Sequence, residues 1–564
     1  MSDTPKPREW MWFARVLRPY ARSHVFSIGC LLMATLLTAA DPLIIRWIID
    51  HGLPARAWMP IVAAVGAFCA LYVIRVGVLS VGTYAMTRTV RYAMLRLRLT
   101  LLRRIQSLDA RFFHDHGVGD LVNRLEQEIE QLSDAAADIL PSLFRVVLGI
   151  AVTITVMAAL DWRLALIAVP LALLIAALRY RYGPRLEDVA HASRRIMGER
   201  ASFLSECVGA AMELQLLGAE SYVNRRYAKL ATASIRTSLK QVMTEIHYAA
   251  AAWGIITIST AAVLLIGAYE FMQGRLTVGS YVAFYTYLLR LFDPLTAAIT
   301  TYVRLKRASG SIVRLTELEQ HQPAVRDGED DAPVPAVQEV ALRGVRFGYD
   351  AASPVLRGID VTMKRGEKVA LMGESGSGKS TLAKLLVRLY DPHEGTVSIG
   401  GHDVRELGMR ALRRTTSLVP PSPHLFHGTL RENVLLGYRG VDATELDRLA
   451  TVACFDTVVA RFPERWNHIL GANGMGLSEG EKQRLGLLRA LVRRRDVLIL
   501  DEATGALDAA TEASVLANLR EVTDDRVVLV ITHRPSPADW ADRVLTLKNG
   551  EVRVIHRAPF EAVS

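Results

Sequence analysis

Residues 373–380 have the sequence GESGSGKS, which fits the phosphate-loop pattern GxxxxGK followed by Ser or Thr. The apolar residues 369–372 before it predict a short buried strand, and a helix is predicted from Lys379 to about Tyr390. Its buried positions are expected at Leu382, Leu385, Leu386 and Leu389. Glycines let the backbone curl until its N–H groups and the start of a helix surround phosphate oxygens. This order of elements favours a phosphate site in an α/β domain over a glycine-rich turn without a ligand.

Two further apolar strands are predicted to end at the same edge of the sheet as the phosphate loop. Residues 497–500 are followed by Asp501 and Glu502, and residues 527–531 lead to His533. Ligands bind at the carboxyl ends of strands in open α/β sheets. Asp501 is a candidate magnesium ligand and Glu502 a candidate base for water. Acid pairs also occur in ordinary turns, and a single histidine is usually structural, so the combination carries the prediction.

The composition of the chain favours a membrane protein. Of its 564 residues, 51% are hydrophobic, the net charge is +10, and the mean hydropathy is +0.21. The basic excess is compatible with nucleic-acid binding or with the cytoplasmic side of a membrane protein. The four cysteines are Cys30, Cys69, Cys207 and Cys454, and their spacing predicts neither a disulfide framework nor a thiol metal site.

Six apolar stretches are each close to the ~20 residues that a membrane helix needs. They lie at about 25–49, 59–83, 139–160, 162–180, 247–269 and 277–300. The first could instead be a signal peptide with a cleavage site near Ala39, but it continues past Pro42 and is long enough to span. We therefore expect an α-helical membrane bundle of six transmembrane helices.

The connections after the second and fourth stretches are long, rich in arginine and helical in pattern. Their arginines include Arg88, Arg91, Arg96, Arg98, Arg103 and Arg104, then Arg179, Arg181, Arg185, Arg194, Arg195 and Arg200. Arginine collects in cytoplasmic loops, so both termini and these connections are predicted to be cytoplasmic, in a multi-pass protein of the cell membrane. This distribution accounts for much of the basic charge without nucleic acid as a partner.

The domain organisation follows from these patterns. We predict a transmembrane domain over residues 1–321, a linker over 322–336 that is acidic and contains prolines, and an ATPase domain of alternating strands and helices over 337–564.

Residues from about 12 to 564 resemble a half-transporter of the ATP-binding cassette (ABC) exporter superfamily, in which a membrane domain precedes a P-loop ATPase domain. The resemblance implies ATP and Mg²⁺ as ligands. It implies that ATP is bound by Tyr349, Gly373, Glu374, Ser375, Gly376, Ser377, Gly378, Lys379, Ser380 and Thr381, and by Ser478 and Gly480 of the opposite cassette. It assigns catalysis to Glu502, His533 and Lys379, and the metal to Ser380 and Asp501.

The same resemblance implies a dimer, in which each ATP lies between the phosphate loop of one cassette and the signature of the other. ATP binding and hydrolysis then alternate the access of the membrane domains. Segments 111–119 and 204–217 resemble the coupling helices that contact the cassettes. The expected partners are a second half-transporter, the lipid bilayer and the transported substrate.

Four positions in three motifs depart from the family pattern. The signature LSGGQ is LSEGE here, with Glu479 and Glu481; the Q-loop glutamine is Pro421, and the D-loop serine is Gly505. Ser478 and Glu481 fit a helix capping box. Glu479 would face the partner's γ-phosphate, which predicts weak closure unless its side chain turns away or a cation intervenes. The chain then forms either a heterodimer with one slow site or a homodimer whose sites tolerate Glu479. Low basal ATPase activity is predicted in both cases, because Pro421 offers no side-chain oxygen at the Q-loop position.

Charged residues within or near the spans bear on the substrate. They are Asp41, Arg46, Arg75, Arg145, Arg290 and Asp293. If the arginines line a cavity, an anionic or amphipathic substrate such as a lipid or peptide is favoured. A structural role remains open, because Arg290 and Asp293 could pair and Arg145 could lie at the interface. An importer with this architecture and an ATP-gated regulator or channel are the alternative functions.

Overall fold

The computed structural model describes residues 7–166, 168–325, 327–328, 337–350 and 353–555. The chain divides into two compact units, Met1–Ile105 with Gly119–Gln320 and Gln106–Val118 with His321–Ser564. Much of the predicted linker 322–336 lies outside the described residues, and the predicted domain boundaries stay predictions.

The described part of the first unit is helical, because its long apolar stretches hold few residues that break a helix. Its helices are α1 (Pro7–Leu17), α2 (Ala21–Thr38), α3 (Asp41–Trp47), α4 (Trp58–Gln106), α6 (Val118–Asn123), α7 (Ile129–Leu160), α8 (Trp162–Ala165), α9 (Ala168–Gly209), α10 (Ala211–Leu216), α11 (Glu220–Met272) and α12 (Val278–Gln320), while α5 (Ala110–Asp115) lies in the second unit. Single π-helical turns join α3 to the following loop and α6 to α7.

Four helical stretches in the described residues are long and apolar enough to cross a membrane. They are Arg8–Gly52, Trp58–Gln106, Val118–Leu160 and Glu220–Met272, and they contain the first, second, third and fifth predicted spans. The fourth predicted span falls on α8 and α9 and the sixth on α12. Several side chains of these two spans lie outside the described residues, so the count of six stays a prediction.

We expected the first predicted span to be one continuous helix, but the structure shows a break in it. It breaks at Ala39 and Ala40 and resumes at Asp41. Pro42 lacks an N–H and so cannot continue the ladder of backbone hydrogen bonds. The carbonyls freed by the break accept hydrogen bonds from α12: Arg290 donates to Thr38, and the Tyr287 hydroxyl donates to Ala39. These two side chains satisfy a helix end that would otherwise be left unpaired.

The described part of the second unit contains twelve strands. They are β1 (Glu339–Phe347), β2 (Leu356–Lys364), β3 (Lys368–Met372), β4 (Glu394–Ile399), β5 (His402–Asp403), β6 (Thr416–Val419), β7 (Gly428–Thr429), β8 (Ile469–Leu470), β9 (Val497–Asp501), β10 (Val527–Ile531), β11 (Arg543–Lys548) and β12 (Glu551–Ile555). The main sheet has the order β12-β11-β3-β10-β9-β6, and its neighbours from β11 to β6 are parallel. The smaller sheets have the orders β2-β1-β4-β5 and β7-β8.

Eight further α-helices lie in the same described residues. They are α13 (Lys379–Leu386), α14 (Met409–Thr415), α15 (Leu430–Leu435), α16 (Ala443–Val452), α17 (Asp456–Arg461), α18 (Glu479–Leu491), α19 (Ala509–Val522) and α20 (Pro535–Trp540). The predicted end of α13 at Tyr390 is wrong: the helix stops at Leu386 because Arg388 takes a left-handed backbone with φ 51°. For the same reason Leu389 is only half-buried, whereas Leu382, Leu385 and Leu386 are buried.

The segment 106–118 carries the first predicted coupling helix. Asp109 caps α5 by accepting a hydrogen bond from the backbone of Phe112 at 3.1 Å. Phe112 stacks on His116, with ring centroids 4.3 Å apart, and lies 4.8 Å from the ring of His321. The coupling roles of 111–119 and of 204–217 stay predictions.

Candidate functional site

The topology of the main sheet brings the three predicted motifs to one edge. Strand β10 lies between β3 and β9, and all three are parallel. Their carboxyl ends are aligned in register, since Ile531 is paired with both Leu371 and Asp501. The phosphate loop, the acidic pair and His533 therefore begin side by side.

The phosphate loop takes a conformation that its glycines alone allow. Gly373, Gly376 and Gly378 have φ values of 155°, 79° and 106°. A Cβ on Gly373 would lie 2.4 Å from the carbonyl oxygen of Leu547. Any larger residue there would push the loop away from the sheet.

Two polar groups of this loop fit a phosphate ligand. The Lys379 ammonium is buried and donates to the carbonyls of Gly373 and Glu374, both at 2.8 Å, so it is held over the loop. The hydroxyl oxygen of Ser377 is buried and has no hydrogen-bond partner among the described residues. A buried polar atom without a partner is costly, and a phosphate oxygen would supply one. Glu374 and Ser375 are exposed at the mouth of the loop.

Ser380 and Asp501 form the candidate metal site. The Ser380 hydroxyl donates to the Asp501 carboxylate at 3.1 Å, and this carboxylate is buried at the end of β9. Burial raises the pKa of Asp501, partly opposed by the hydrogen bond from Ser380. Paired hydroxyl and carboxylate oxygens are ligands that Mg²⁺ prefers, so the residues present fit this ion.

Glu502 and His533 form a second pair at the same edge. The Glu502 carboxylate lies 3.4 Å from the ring nitrogen Nδ1 of His533. Both side chains are partly exposed and face solvent. Glu502 has φ 50°, a left-handed backbone that is uncommon for a glutamate, and its N–H donates to Ile531 at 3.0 Å. The strained backbone directs this carboxylate out of the strand.

Tyr349 provides an exposed aromatic surface near the phosphate helix. Its ring packs edge-on against Phe347 and Tyr390, both with centroids 5.3 Å away. Its hydroxyl lies 3.1 Å from that of Thr381 on α13. The Lys384 ammonium lies 5.7 Å from the centroid of this ring, and the side chain of Tyr349 is 44% exposed, so the aromatic surface remains accessible to a base.

The predicted capping box at the signature is present. The Ser478 hydroxyl accepts from the backbone of Glu481, and the Glu481 carboxylate accepts from the backbone of Ser478 at 2.8 Å. Arg461 also donates to Glu481 at 2.6 Å. Burial alone would raise the pKa of Glu481, but these hydrogen bonds outweigh it and hold the pKa below its ordinary value. Glu481 is thus a structural residue of the turn.

Glu479, the other substituted signature residue, has a cation next to it. Its carboxylate lies 2.7 Å from the Lys482 ammonium, one turn further along α18, and the Glu479 side chain is 61% exposed. In the described structure Ser478 and Gly480 make no hydrogen bond to the phosphate loop of their own chain. Instead Gly480 lies against the D-loop, where a Cβ would be 2.9 Å from the carbonyl oxygen of Ala506.

The sequence patterns did not single out Gln483, which lies at the centre of this region. Its side chain is 6% exposed and bonds to the backbone of Pro421, Glu502 and Ala506. Its position on the inner face of a predicted helix could have indicated it, because a buried amide needs hydrogen-bond partners. Pro421 itself is exposed, and its carbonyl rather than its ring makes the contact.

A cavity of about 580 Å³ lies within the first unit, between α2, α4, α7 and α12. Arg75, Arg145 and Arg290 line it, together with threonines and small apolar residues. Asp41 is buried and accepts hydrogen bonds from Arg75 at 2.7 Å and from Arg290 at 2.9 Å. The side chain of Asp293, the pairing partner considered from the sequence, lies outside the described residues. Arg46 pairs instead with Asp50, at 3.6 Å.

Comparisons with known proteins agree on one family across both units. The family description "ABC transporter transmembrane region" matches residues 25–295, and "ABC transporter" matches residues 356–505. An ATP-dependent lipid A-core flippase from Thiobacillus denitrificans is 30% identical over 95% of this chain and 93% of its own length. An ATP-dependent lipid A-core flippase from Syntrophus aciditrophicus is 28% identical over 95% of this chain and 90% of its own length. The solved structure of a bacterial Atm1-family ABC exporter with ATP bound superimposes with a TM-score of 0.81 at 26% identity, covering 94% of both chains.

Proposed function

Because this chain belongs to the ABC transporter family, as an exporter-type transport ATPase that binds ATP and couples its hydrolysis to translocation, we propose that it moves an anionic amphiphile across the membrane. The cavity of about 580 Å³ between α2, α4, α7 and α12 carries this proposal. It lies at residues that the predicted spans place inside the membrane. Charged groups at such depth are costly and usually mark a pathway.

The charge in this cavity is unbalanced. Among the described side chains, three guanidinium groups line the space, and the one carboxylate bonded to them is Asp41. Arg145 bonds only to the Ser142 hydroxyl, at 3.2 Å, among the contacts described. A phosphate or carboxylate head group would offset the excess positive charge. The apolar wall, with Leu31, Leu79 and Val146, would accept the tail.

The names of the relatives support the same substrate class. Two of them are lipid A-core flippases, which act on a lipid. We propose a lipid or lipid-like anion for this chain, exported from the cytoplasmic side.

For the ATPase reaction we propose roles that follow from the geometry of the sheet edge. Lys379 and the loop N–H groups bind phosphate, and Tyr349 stacks on the base. Ser380 and Asp501 would hold Mg²⁺, which supplies charge neutralisation on the phosphates. Glu502 takes a proton from the attacking water. His533, whose Nδ1 lies 3.4 Å from the Glu502 carboxylate, orients that water.

We propose that the working unit is a dimer of two copies of this chain, with the cassettes and the arginine-rich connections in the cytoplasm. The negative charge of Glu479 opposes the formation of two identical sites. Lys482 lies 2.7 Å from it and offsets this charge, which supports a homodimer. A heterodimer is the other outcome, and purification of tagged protein from its native membrane distinguishes one chain from two.

Substrate-stimulated ATPase activity tests the proposed substrate. We expect the purified transporter in nanodiscs to respond to phosphatidylglycerol more strongly than to phosphatidylcholine. Arg75→Ala and Arg145→Ala should weaken that response about tenfold, since each removes a charged partner of the head group. Arg46→Ala is the matched control, because Arg46 pairs outside the cavity, and it should retain the response. An equal response to both lipids, or an unchanged response in both cavity variants, would refute the proposed substrate.

A further inference from the structure

Gln483 joins three separate motifs of one cassette. Its Nε2 group donates to the carbonyl of Pro421 at 2.9 Å and to the carbonyl of Glu502 at 3.3 Å. Its Oε1 accepts from the N–H of Ala506 at 2.8 Å. The contacted residues belong to the Q-loop, the end of β9 and the D-loop, and Gln483 itself lies on α18, behind the signature.

The orientation of this amide follows from its partners. Two of them are carbonyls, which only accept, and the third is an N–H, which only donates. One orientation alone satisfies all three, and it uses both N–H donors of the amide. A side chain that is 6% exposed and fully bonded to backbone groups is held rigidly.

The contact with Glu502 matters because of the strain at that residue. Its backbone has φ 50°, and such a conformation persists in a non-glycine residue only when its surroundings impose it. Two backbone hydrogen bonds, to Ile531 and from Gly505, help to impose it. The amide of Gln483 adds a third, from the side of the signature helix.

We propose that Gln483 is a positioning residue that ties the backbone of Glu502 and the D-loop to the signature helix, so that signature docking on the partner's ATP orients Glu502 at the chain's own ATP. The side chain of Gln483 bonds to the backbone carbonyl of Pro421. The connection to the Q-loop therefore does not need a glutamine side chain at position 421. The inference rests on the proposed dimeric ATPase and adds a path between its two sites.

The test is steady-state ATPase kinetics of the full-length transporter in nanodiscs. Gln483→Met keeps the size of the side chain and removes all three hydrogen bonds. We expect kcat to fall about tenfold. The KM for ATP should stay within about twofold, because Gln483 makes no contact with the phosphate loop among the described residues. Gln483→Glu is the second variant, in case the first does not fold. It keeps the acceptor for Ala506 but places a carboxylate against two carbonyls, and it should also lower kcat.

Asn433→Leu is the matched control. Asn433 is also a buried amide, and its three hydrogen bonds go to Phe426 and Thr429. Asn433→Leu should lower the melting temperature about as much as Gln483→Met does, but it should leave kcat per folded protein within about twofold of wild type. An unchanged kcat in the Gln483 variants, or an equal fall in the control, would overturn the role of Gln483. A wild-type transporter without ATPase activity would instead overturn the proposed function.

Discussion

The carboxylate of Glu479 and the ammonium of Lys482 form an ion pair of 2.7 Å at the start of the signature helix. Glu479 occupies a position where the family pattern has glycine, and Lys482 supplies a cation within the same turn. In the proposed dimer this pair would let a charged signature approach a phosphate, because like charges repel strongly at short range unless an opposite charge lies between or beside them.

The first prediction concerns this pair. Lys482→Gln leaves Glu479 without its neighbouring cation and should lower ATPase kcat about fivefold. In a Glu479→Gly background the same change should have little effect, because no negative charge remains to be offset. A double-mutant cycle on the four proteins measures this coupling. Equal effects of Lys482→Gln in both backgrounds would show that Lys482 does not act through Glu479.

The second prediction concerns turnover. We expect low basal ATPase activity in the wild type, since Pro421 offers no side-chain oxygen at the Q-loop position. The ring of Pro421 is exposed and its carbonyl bond to Gln483 survives substitution, so Pro421→Gln should be tolerated. Combined with Glu479→Gly it should raise kcat about tenfold. A double variant no faster than wild type would refute the idea that these two positions limit turnover.

The third prediction concerns Asp41, the buried carboxylate between Arg75 and Arg290. Asp41→Asn removes the charge that offsets these arginines while it keeps a hydrogen-bond acceptor. The apparent melting temperature should fall, because removing one partner of a buried ion pair leaves the other uncompensated. The half-saturating concentration of an anionic lipid should fall as well, several-fold, since the cavity gains net positive charge. ATPase titrations with phosphatidylglycerol check this, and a weaker lipid response would contradict it.

The fourth prediction is a pH dependence at Glu481. Hydrogen bonds from Ser478 and Arg461 lower its pKa in the folded state, so its contribution to stability is present above the unfolded pKa of about 4.3. That contribution is lost as the pH falls through the lower folded pKa. Glu481→Gln should therefore lower the melting temperature by about 2 °C near neutral pH. The gap to wild type should close in acid below about pH 4.

Exposed Glu521 offers a charge-matched control for this experiment. Glu521→Gln should leave the melting temperature unchanged across the same pH range. A gap between wild type and Glu481→Gln that stays constant in acid would show that the charge of Glu481 is not what stabilises the turn.

Much of the site could be predicted from the sequence because its motifs are local. A strand, a glycine-rich loop and a helix are contiguous in residues 369–386, and the strand of residues 527–531 has the predicted bounds. The capping box at Ser478 is a relation over three residues. Such short-range patterns depend on backbone geometry that each segment imposes by itself.

Contacts between distant segments could not be predicted in this way. The break at Ala39 is compensated by Tyr287 and Arg290, some 250 residues away. Arg290 donates to Asp41, a partner that spacing along a helix could not suggest, and its possible pairing with Asp293 lies outside the described side chains. Gln483 was missed for the same reason, since its three bonds are all to backbone groups elsewhere in the chain.

The central claim is that ATP hydrolysis at Glu502 drives the movement of an anionic amphiphile. The most direct measurement is ATP-dependent translocation of a fluorescent phosphatidylglycerol across proteoliposomes, followed by quenching from outside, with wild type and Glu502→Gln reconstituted at equal density. We expect translocation by wild type with ATP, little with a phosphatidylcholine probe, and none by Glu502→Gln although that variant still binds ATP. Equal translocation of both probes, or of phosphatidylglycerol by both proteins, would contradict the account.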